Sequence, residues 1–306
     1  MLEFNIKSSE TIGNEEIVAC IGYFDGIHCG HRSLINKAVE LAKVNGSKSA
    51  LITFDPDPWV VLKGITDIKH LTSLDQRKEI VSNLGIDIWI CVEFSKEFAS
   101  LEPMEFIENI IRKLNITDLV CGFDFRFGKM GKGDTELLNN CDFFKTHVIE
   151  PVMYDGVKIS STLVETLIQS GDISKANALL SRPYTIRSKV IHGRGQGKEL
   201  GFPTANVDVN SIYVIPKYGV YLGYVVLDGI KYRSIINVGN NPTFEGVDET
   251  SIECHIFDFD KSIYDSTIDI EFIEFVREER RFDSKDDLIK AVLLDIEYAK
   301  KGFPTV

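Results

Sequence analysis

The stretch from Ile17 to His31 restricts the fold more than any other. Ile17-Val18-Ala19-Cys20-Ile21 is an uncharged run rich in β-branched residues, which suits a strand buried on both faces of a parallel sheet. Gly22, Gly26 and Gly30 then relax the backbone, and Leu34, Ala38, Leu41 and Ala42 supply an apolar stripe at helical spacing. His28 and His31 stand three residues apart, so a helix beginning near His28 sets both imidazoles on one face of its first turn. A helix N-terminus offers unpaired N–H groups and a partial positive charge. Two added imidazole donors make that end a cradle for a polyphosphate.

The following segments repeat the alternation of strand and helix. Ala50-Leu51-Ile52-Thr53-Phe54 reads as a second strand and ends in Asp55-Pro56-Asp57-Pro58, where two prolines force an irregular loop. Leu74 to Leu84 has helical periodicity, Ile86 to Val92 reads as a strand, Pro103 opens a helix through about Leu114, and Leu119 to Gly122 is a further strand. This alternation predicts a parallel α/β sheet with ligands at the carboxyl ends of its strands. Phe123 to Gly133, an aromatic and basic loop, leaves the strand at Gly122 toward that same end. Ser160-Ser161-Thr162, ahead of an apolar pattern, has the composition of a helix cap.

Near residue 181 the character changes. Arg182-Pro183 breaks the chain, and from Tyr184 the apolar period is two. Tyr184 to Ile191, Gly219 to Val226, Tyr232 to Val238, Ile252 to Phe257 and Ile268 to Phe275 are strand candidates joined by short turns, and Asp283 to Ala299 is an amphipathic helix. The expectation is an α/β domain over residues 1–181 and an antiparallel β-barrel with one terminal helix over residues 182–306.

Within the barrel half, Gly193, Gly195, Gly197 and Gly201 lie among Arg194 and Lys198, so backbone amides there can wrap an anion. No G-K-[ST] follows, so this is not a Walker loop. Extended backbone over Thr204 to Asn206 sends both polar side chains to one side. Their oxygens suit a magnesium ion that keeps most of its waters and takes the rest from ATP phosphates. Glu253 alternates with apolar Ile252, Cys254 and Ile256, and a carboxylate on that polar face can act as general base toward a hydroxyl.

Composition limits the alternatives. A net charge of −12 and a pI near 5.1 disfavour nucleic acid and anionic membranes as partners. The six cysteines form no C-x-x-C and several sit in apolar runs, which predicts a reducing, cytoplasmic setting. Neither a signal sequence nor an apolar run of about 18 residues is present.

The motifs G-x-F-D-G-x-H-x-G-H, T-F-D-P, G-F-D-F-R-F-G, I-S-S-T, G-x-G-x-x-L-G-F-P-T-A-N and E-x-H-x-F-D-F occur in this order. Nearly end to end, the chain resembles the prokaryotic bifunctional riboflavin kinases/FMN adenylyltransferases, also called FAD synthetases. The resemblance implies a Rossmann-like nucleotidylyltransferase domain followed by a riboflavin kinase barrel. It implies ATP as co-substrate, riboflavin, FMN and FAD as substrates and products, and magnesium held at Thr204 and Asn206. Glu253 would be the kinase base, and His28 and His31 would stabilise charge growing on the phosphates during adenylyl transfer. Nucleotide contacts would come from Gly22, Phe24, Asp25, Gly30, Phe123, Phe125, Ser161 and Thr162 in the first domain, and from Gly193, Gly195, Gly197 and Lys198 in the second.

Two positions depart from the family pattern. Asp57 replaces the histidine of T-F-x-P-H-P, and Glu165 replaces the arginine of S-S-T-x-x-R. Each change puts a carboxylate where a donor or cation is expected, and exchange of an arginine fork for Glu reverses the charge offered to phosphate. The alternatives are therefore a riboflavin kinase whose first domain has weak or lost adenylyl transfer, and a flavin- or nucleotide-binding regulator without turnover.

Overall fold

The computed structural model describes residues 1–7, 10, 11, 13, 15–193, 201–209, 212–242, 248–280, 282 and 284–303. Its contacts divide into two compact units, Met1–Ser161 and Thr162–Val306.

In the first unit, strands β1 (Leu2–Ile6), β2 (Ile17–Ile21), β3 (Lys48–Asp55), β4 (Ile88–Glu93), β5 (Ile116–Gly122) and β6 (Lys145–Ile149) form one sheet in the order β1-β4-β3-β2-β5-β6. All neighbours are parallel. Helices α1 (Cys29–Asn45), α2 (Pro58–Lys63), α3 (Leu74–Asn83), α4 (Lys96–Ala99), α5 (Pro103–Phe106) and α6 (Thr135–Asn139) connect them. Strand β2 is buried throughout. Ile17, Ala19 and Ile21 enter the core on one face with Ile107, Ile110 and Ile111, and Val18 and Cys20 enter the other with Ile35, Ala38 and Ala42 of α1. Two-sided burial explains why the run carries no polar residue.

The chain leaves β2 toward β3 and β4, then returns to build β5 and β6 on its other side. The carboxyl ends of β2 and β5 therefore flank a topological switch point, where a crevice opens. Periodicity misses two strands. β1 and β6 lie at the sheet edges and are half exposed, so they lack an uninterrupted apolar run. The helix expected from Pro103 to Leu114 is α-helical only to Phe106 and continues in wider π-type turns to Arg112. A two-stranded hairpin, β7 (Met153–Tyr154) and β8 (Val157–Lys158), follows β6. Asp155 and Gly156 at its tip have φ of 48° and 77°, as a tight Asp-Gly hairpin turn demands.

Helix α7 (Ser161–Ser170) spans the joint, and α8 (Ile173–Leu180) belongs to the second unit. There β9 (Tyr184–Ile191), β10 (Ala205–Val207), β11 (Gly219–Leu227), β12 (Ile230–Pro242), β13 (Asp248–Ile256) and β14 (Thr267–Glu278) close an antiparallel barrel in the order β10-β13-β12-β11-β14-β9, with β9 pairing back to β10. Helix α9 (Lys285–Gly302) covers one outer face, where Ala299 and Phe303 meet Val220, Leu222 and Ile235. Helix α8 is tied to the barrel through Asn177, which donates to the Phe272 carbonyl at 2.8 Å and accepts the Tyr184 amide at 2.7 Å. These bonds place α8 with the barrel, ahead of the change in periodicity at residues 181 and 182.

The barrel also contains a close approach that only glycine permits. A Cβ on Gly223 would run into the Glu271 carbonyl and the Ile236 side chain, at an irregularity between Leu222 and Gly223 in the β11–β14 register. Gly223→Ala is expected to lower the stability of the barrel by about 1–3 kcal/mol, read by urea unfolding.

Candidate active sites

The turn after β2 is unusual in its backbone. Phe24, Gly26 and Ile27 have φ of 59°, 76° and 42°, a region that non-glycine residues rarely adopt and that persists where surrounding bonds over-determine it. Asp25 supplies those bonds. Its buried carboxylate accepts from the amides of Leu71 at 2.9 Å and Thr72 at 3.1 Å, from the Thr72 hydroxyl at 3.0 Å and from Arg77 Nη2 at 3.1 Å. The Gly26 amide donates to Thr72 Oγ1 at 3.0 Å, and Arg77 Nη1 to the Tyr23 carbonyl at 3.3 Å. The sequence reading placed Asp25 at the nucleotide, but its hydrogen-bonding capacity is taken up by the Leu71–Arg77 segment and it does not line the cleft. It braces the turn.

That brace sets the histidines. His28 has extended backbone and is the N-cap of α1, just ahead of the first turn rather than within it. Its Nδ1 accepts the His31 amide at 3.3 Å, which orients the ring and leaves Nε2 as its other polar atom. The His28 and His31 rings stack with centroids 3.8 Å apart and planes 17° from parallel. Burial, with His28, Arg77 and Lys158 as further causes, holds the His31 pKa well below its ordinary value. His31 is thus a neutral hydrogen-bonding ring, and its buried Nδ1 has no partner among the described residues. A Cβ on Gly30 would stand 3.1 Å from His28 Cε1, so a side chain there would crowd the ring.

Around this pair lies a cavity of about 290 Å³ at the carboxyl ends of β2, β5 and β6. Gly22, Phe24, His28, Gly30, His31, Phe123, Phe125 and Ser161 all line it. The Phe-rich loop divides its aromatics: Phe127 is buried in the core, while Phe123 and Phe125 face the cavity. Ser161 Oγ donates to the Asp25 carbonyl at 3.0 Å and so fastens the start of α7 to the turn. Thr162 is exposed and not part of the lining. Neither Asp57 nor Glu165 lines it either. Asp57 caps α2, accepting the Trp59 amide at 2.7 Å, and Glu165 accepts from Gln169 Nε2 at 3.3 Å one turn along its own helix. Lys158, which the sequence reading passed over, does line the cavity.

In the barrel, register brings the candidate residues together. Asn206 on β10 and Asn237 on β12 both stand directly opposite Glu253 on β13, and directly opposed residues of antiparallel strands share a face. Thr204 Oγ1 donates to Glu253 Oε2 at 3.2 Å. Ile252, Cys254 and Ile256 turn into the barrel and are buried. His255, on the face of Glu253, donates from Nδ1 to the Pro203 carbonyl at 2.9 Å and fixes the entry of β10. Asn237 and His255 were not singled out in the sequence, because only pairing across strands connects them to Glu253. A Cβ on Gly193 would collide with the Asn206 amide, so Gly193 packs directly against that side chain. Arg194, Gly195, Gly197 and Lys198 lie outside the described residues. A second cavity of about 350 Å³ runs from Thr204 past Val190, Ile256 and Ile263 to Phe259 and Tyr264, apolar enough for a flat ring with polar atoms at one end.

Among the described residues, no cluster of three or more His, Cys, Asp or Glu can hold a metal ion. Two neutral oxygens beside one carboxylate fit a hard cation that arrives with phosphates and water, not a resident ion. No helix among the described residues is long and apolar enough to cross a membrane.

Comparison with known proteins agrees with this division. The family model for FAD synthetase matches residues 11–163, and that for riboflavin kinase matches residues 180–303. The chain is 38% identical over 289 residues to the bifunctional riboflavin kinase/FMN adenylyltransferase of Listeria monocytogenes, spanning 94% of this chain and 92% of that one. The Bacillus subtilis protein of the same name is 37% identical over 291 residues, with the same coverage of 94% and 92%. A crystal structure described as a macrolide-efflux protein from Streptococcus pneumoniae matches with a TM-score of 0.92 at 31% identity, covering 99% of this chain and all of that one (100%). With a histidine-bearing α/β unit and a Thr-Asn-Glu barrel in one chain, and relatives matching both along their length, this protein belongs to the bifunctional riboflavin kinase/FMN adenylyltransferase family.

Proposed function

We propose that the chain makes FAD from riboflavin in two ATP-dependent steps, the first in residues 182–306 and the second in residues 1–181. In the barrel, the riboflavin 5′-hydroxyl attacks the γ-phosphorus of ATP. Glu253 takes the hydroxyl proton, and FMN and ADP result. Thr204 and Asn206 would hold the magnesium ion that accompanies ATP, which supplies charge neutralisation on the phosphates. Asn237 stands opposite Glu253 on β12, and Gly193, Gly195, Gly197 and Lys198 would supply the phosphate contacts that the family resemblance implies.

In the α/β unit, an oxygen of the FMN phosphate attacks the α-phosphorus of a second ATP and pyrophosphate leaves. His28 and His31 donate hydrogen bonds to oxygens on which charge grows, and the amides at the start of α1 add their dipole. The reaction needs no covalent intermediate. The observation that carries the reading is the presence of two separate constellations, the stacked histidines in a cavity at a switch point and the cross-strand Asn206-Glu253-Asn237 row, which Thr204 joins to the second cavity through its bond to Glu253. That Asp57 and Glu165 are absent from the first cavity favours a working adenylyltransferase over a fold that has lost activity.

Incubation of the protein with riboflavin, ATP and magnesium chloride, with flavins resolved by chromatography, is expected to yield FMN and then FAD, and EDTA to stop both. FMN without FAD even at high enzyme overturns the adenylyl half, and riboflavin left unchanged overturns the kinase half.

A further inference from the structure

The cavity of the α/β unit has a charge problem. Burial holds the His31 pKa well below its ordinary value, so that ring brings no charge, and Asp124 and Glu150 stand on the lining. ATP is strongly anionic, and two carboxylates without an offsetting cation would repel it. Among the described lining residues, Lys158 is the one lysine or arginine. It sits at the last position of β8, on a hairpin whose Asp155-Gly156 turn fixes where that position falls. Its ammonium ion pairs with Asp124 and lies 4.6 Å from the centre of the Phe123 ring.

We propose that Lys158 is the cation that binds the triphosphate in the adenylyl-transfer site, with Asp124 and Phe123 holding it in place until ATP arrives. The Lys158 and Asp124 side chains are 41% and 58% exposed, and an ion pair that open to water is a weak tie. A triphosphate offers more negative charge at closer quarters, so the ammonium exchanges one partner for the other. The stem keeps its cover over the aromatic ring while the head moves. Lys158 also lines the same cavity as His28 and His31 and is one of the positive neighbours that lower the His31 pKa.

The inference rests on the adenylyl-transfer reading, and its test separates the two. FAD formation from FMN and ATP is measured for the parent, Lys158→Met, Lys158→Gln and Lys158→Arg. Met keeps the apolar stem and removes the charge, and Gln guards against a loss of folding peculiar to Met. The Met and Gln variants are expected to raise KM for ATP roughly tenfold or more with kcat within about threefold, as loss of a charge-assisted phosphate contact requires. Arg is expected to restore most of the affinity. The rise of KM with added salt is expected to flatten in Met and Gln. Inorganic pyrophosphate, the substrate with FAD in the reverse reaction, is expected to lose affinity in parallel. FMN formation from riboflavin should not change in any variant. A parent that makes FAD while both Met and Gln keep its KM for ATP within twofold overturns the inference alone. A parent that makes no FAD overturns both.

Discussion

Glu253→Gln is expected to reduce the rate of FMN formation by roughly 10²–10⁴-fold, the usual worth of a positioned general base. Glutamine has the same shape and retains an oxygen that can accept the Thr204 hydroxyl, which reaches Glu253 at 3.2 Å. Asn206 and Asn237 keep their places across β10 and β12, so the substitution removes the base and little else. KM for ATP should therefore stay within a few-fold while kcat falls, the pattern of an interaction used mainly in the transition state. FAD formation from supplied FMN should persist at the parent rate, because the adenylyl-transfer constellation lies in the other unit. FMN formed at the parent rate would remove Glu253 from the mechanism.

The second large effect concerns His28. His28→Ala is expected to lower FAD formation from FMN by roughly 10²–10³-fold, as loss of a preorganised donor to developing oxyanion charge does, and to destabilise α1 by about 1 kcal/mol through loss of its cap. His28→Asn separates these roles. Asparagine is among the best N-caps, so it should recover stability without recovering rate. A His28→Asn enzyme as fast as the parent would make the histidine a cap and nothing more.

The pH dependence has a definite sign. The folded pKa of His31 lies below its ordinary 6.5 because of burial and the neighbouring His28, Arg77 and Lys158. As pH falls below 6.5, the unfolded chain takes up that proton first. The stability owed to neutral His31 is therefore complete above that pH and is lost progressively on acidification below it.

Much of the fold was legible in local pattern. β2 announced two-sided burial through five consecutive apolar residues, and the barrel strands announced themselves through alternation, seen in Tyr184–Ile191 as buried and exposed positions in turn. Edge strands β1 and β6 escaped because an edge position needs neither pattern strongly. Helix boundaries drifted where the backbone widened, as after Phe106.

The candidate sites were legible as residue types and less so as roles. His28, His31 and Glu253 were visible because turn, helix start and strand alternation are properties of neighbouring residues, and these same local rules determined the two architectures and their order in the chain. Only the tertiary structure decided that Asp25 braces a left-handed turn against Leu71, Thr72 and Arg77, that Asn237 and His255 stand with Glu253, and that Lys158 reaches the histidine cavity while Asp57 and Glu165 do not. The physical reason is separation along the chain. Each of these relations joins segments that only sheet order and strand register bring together, and neither periodicity nor composition encodes which side chain meets which across that distance.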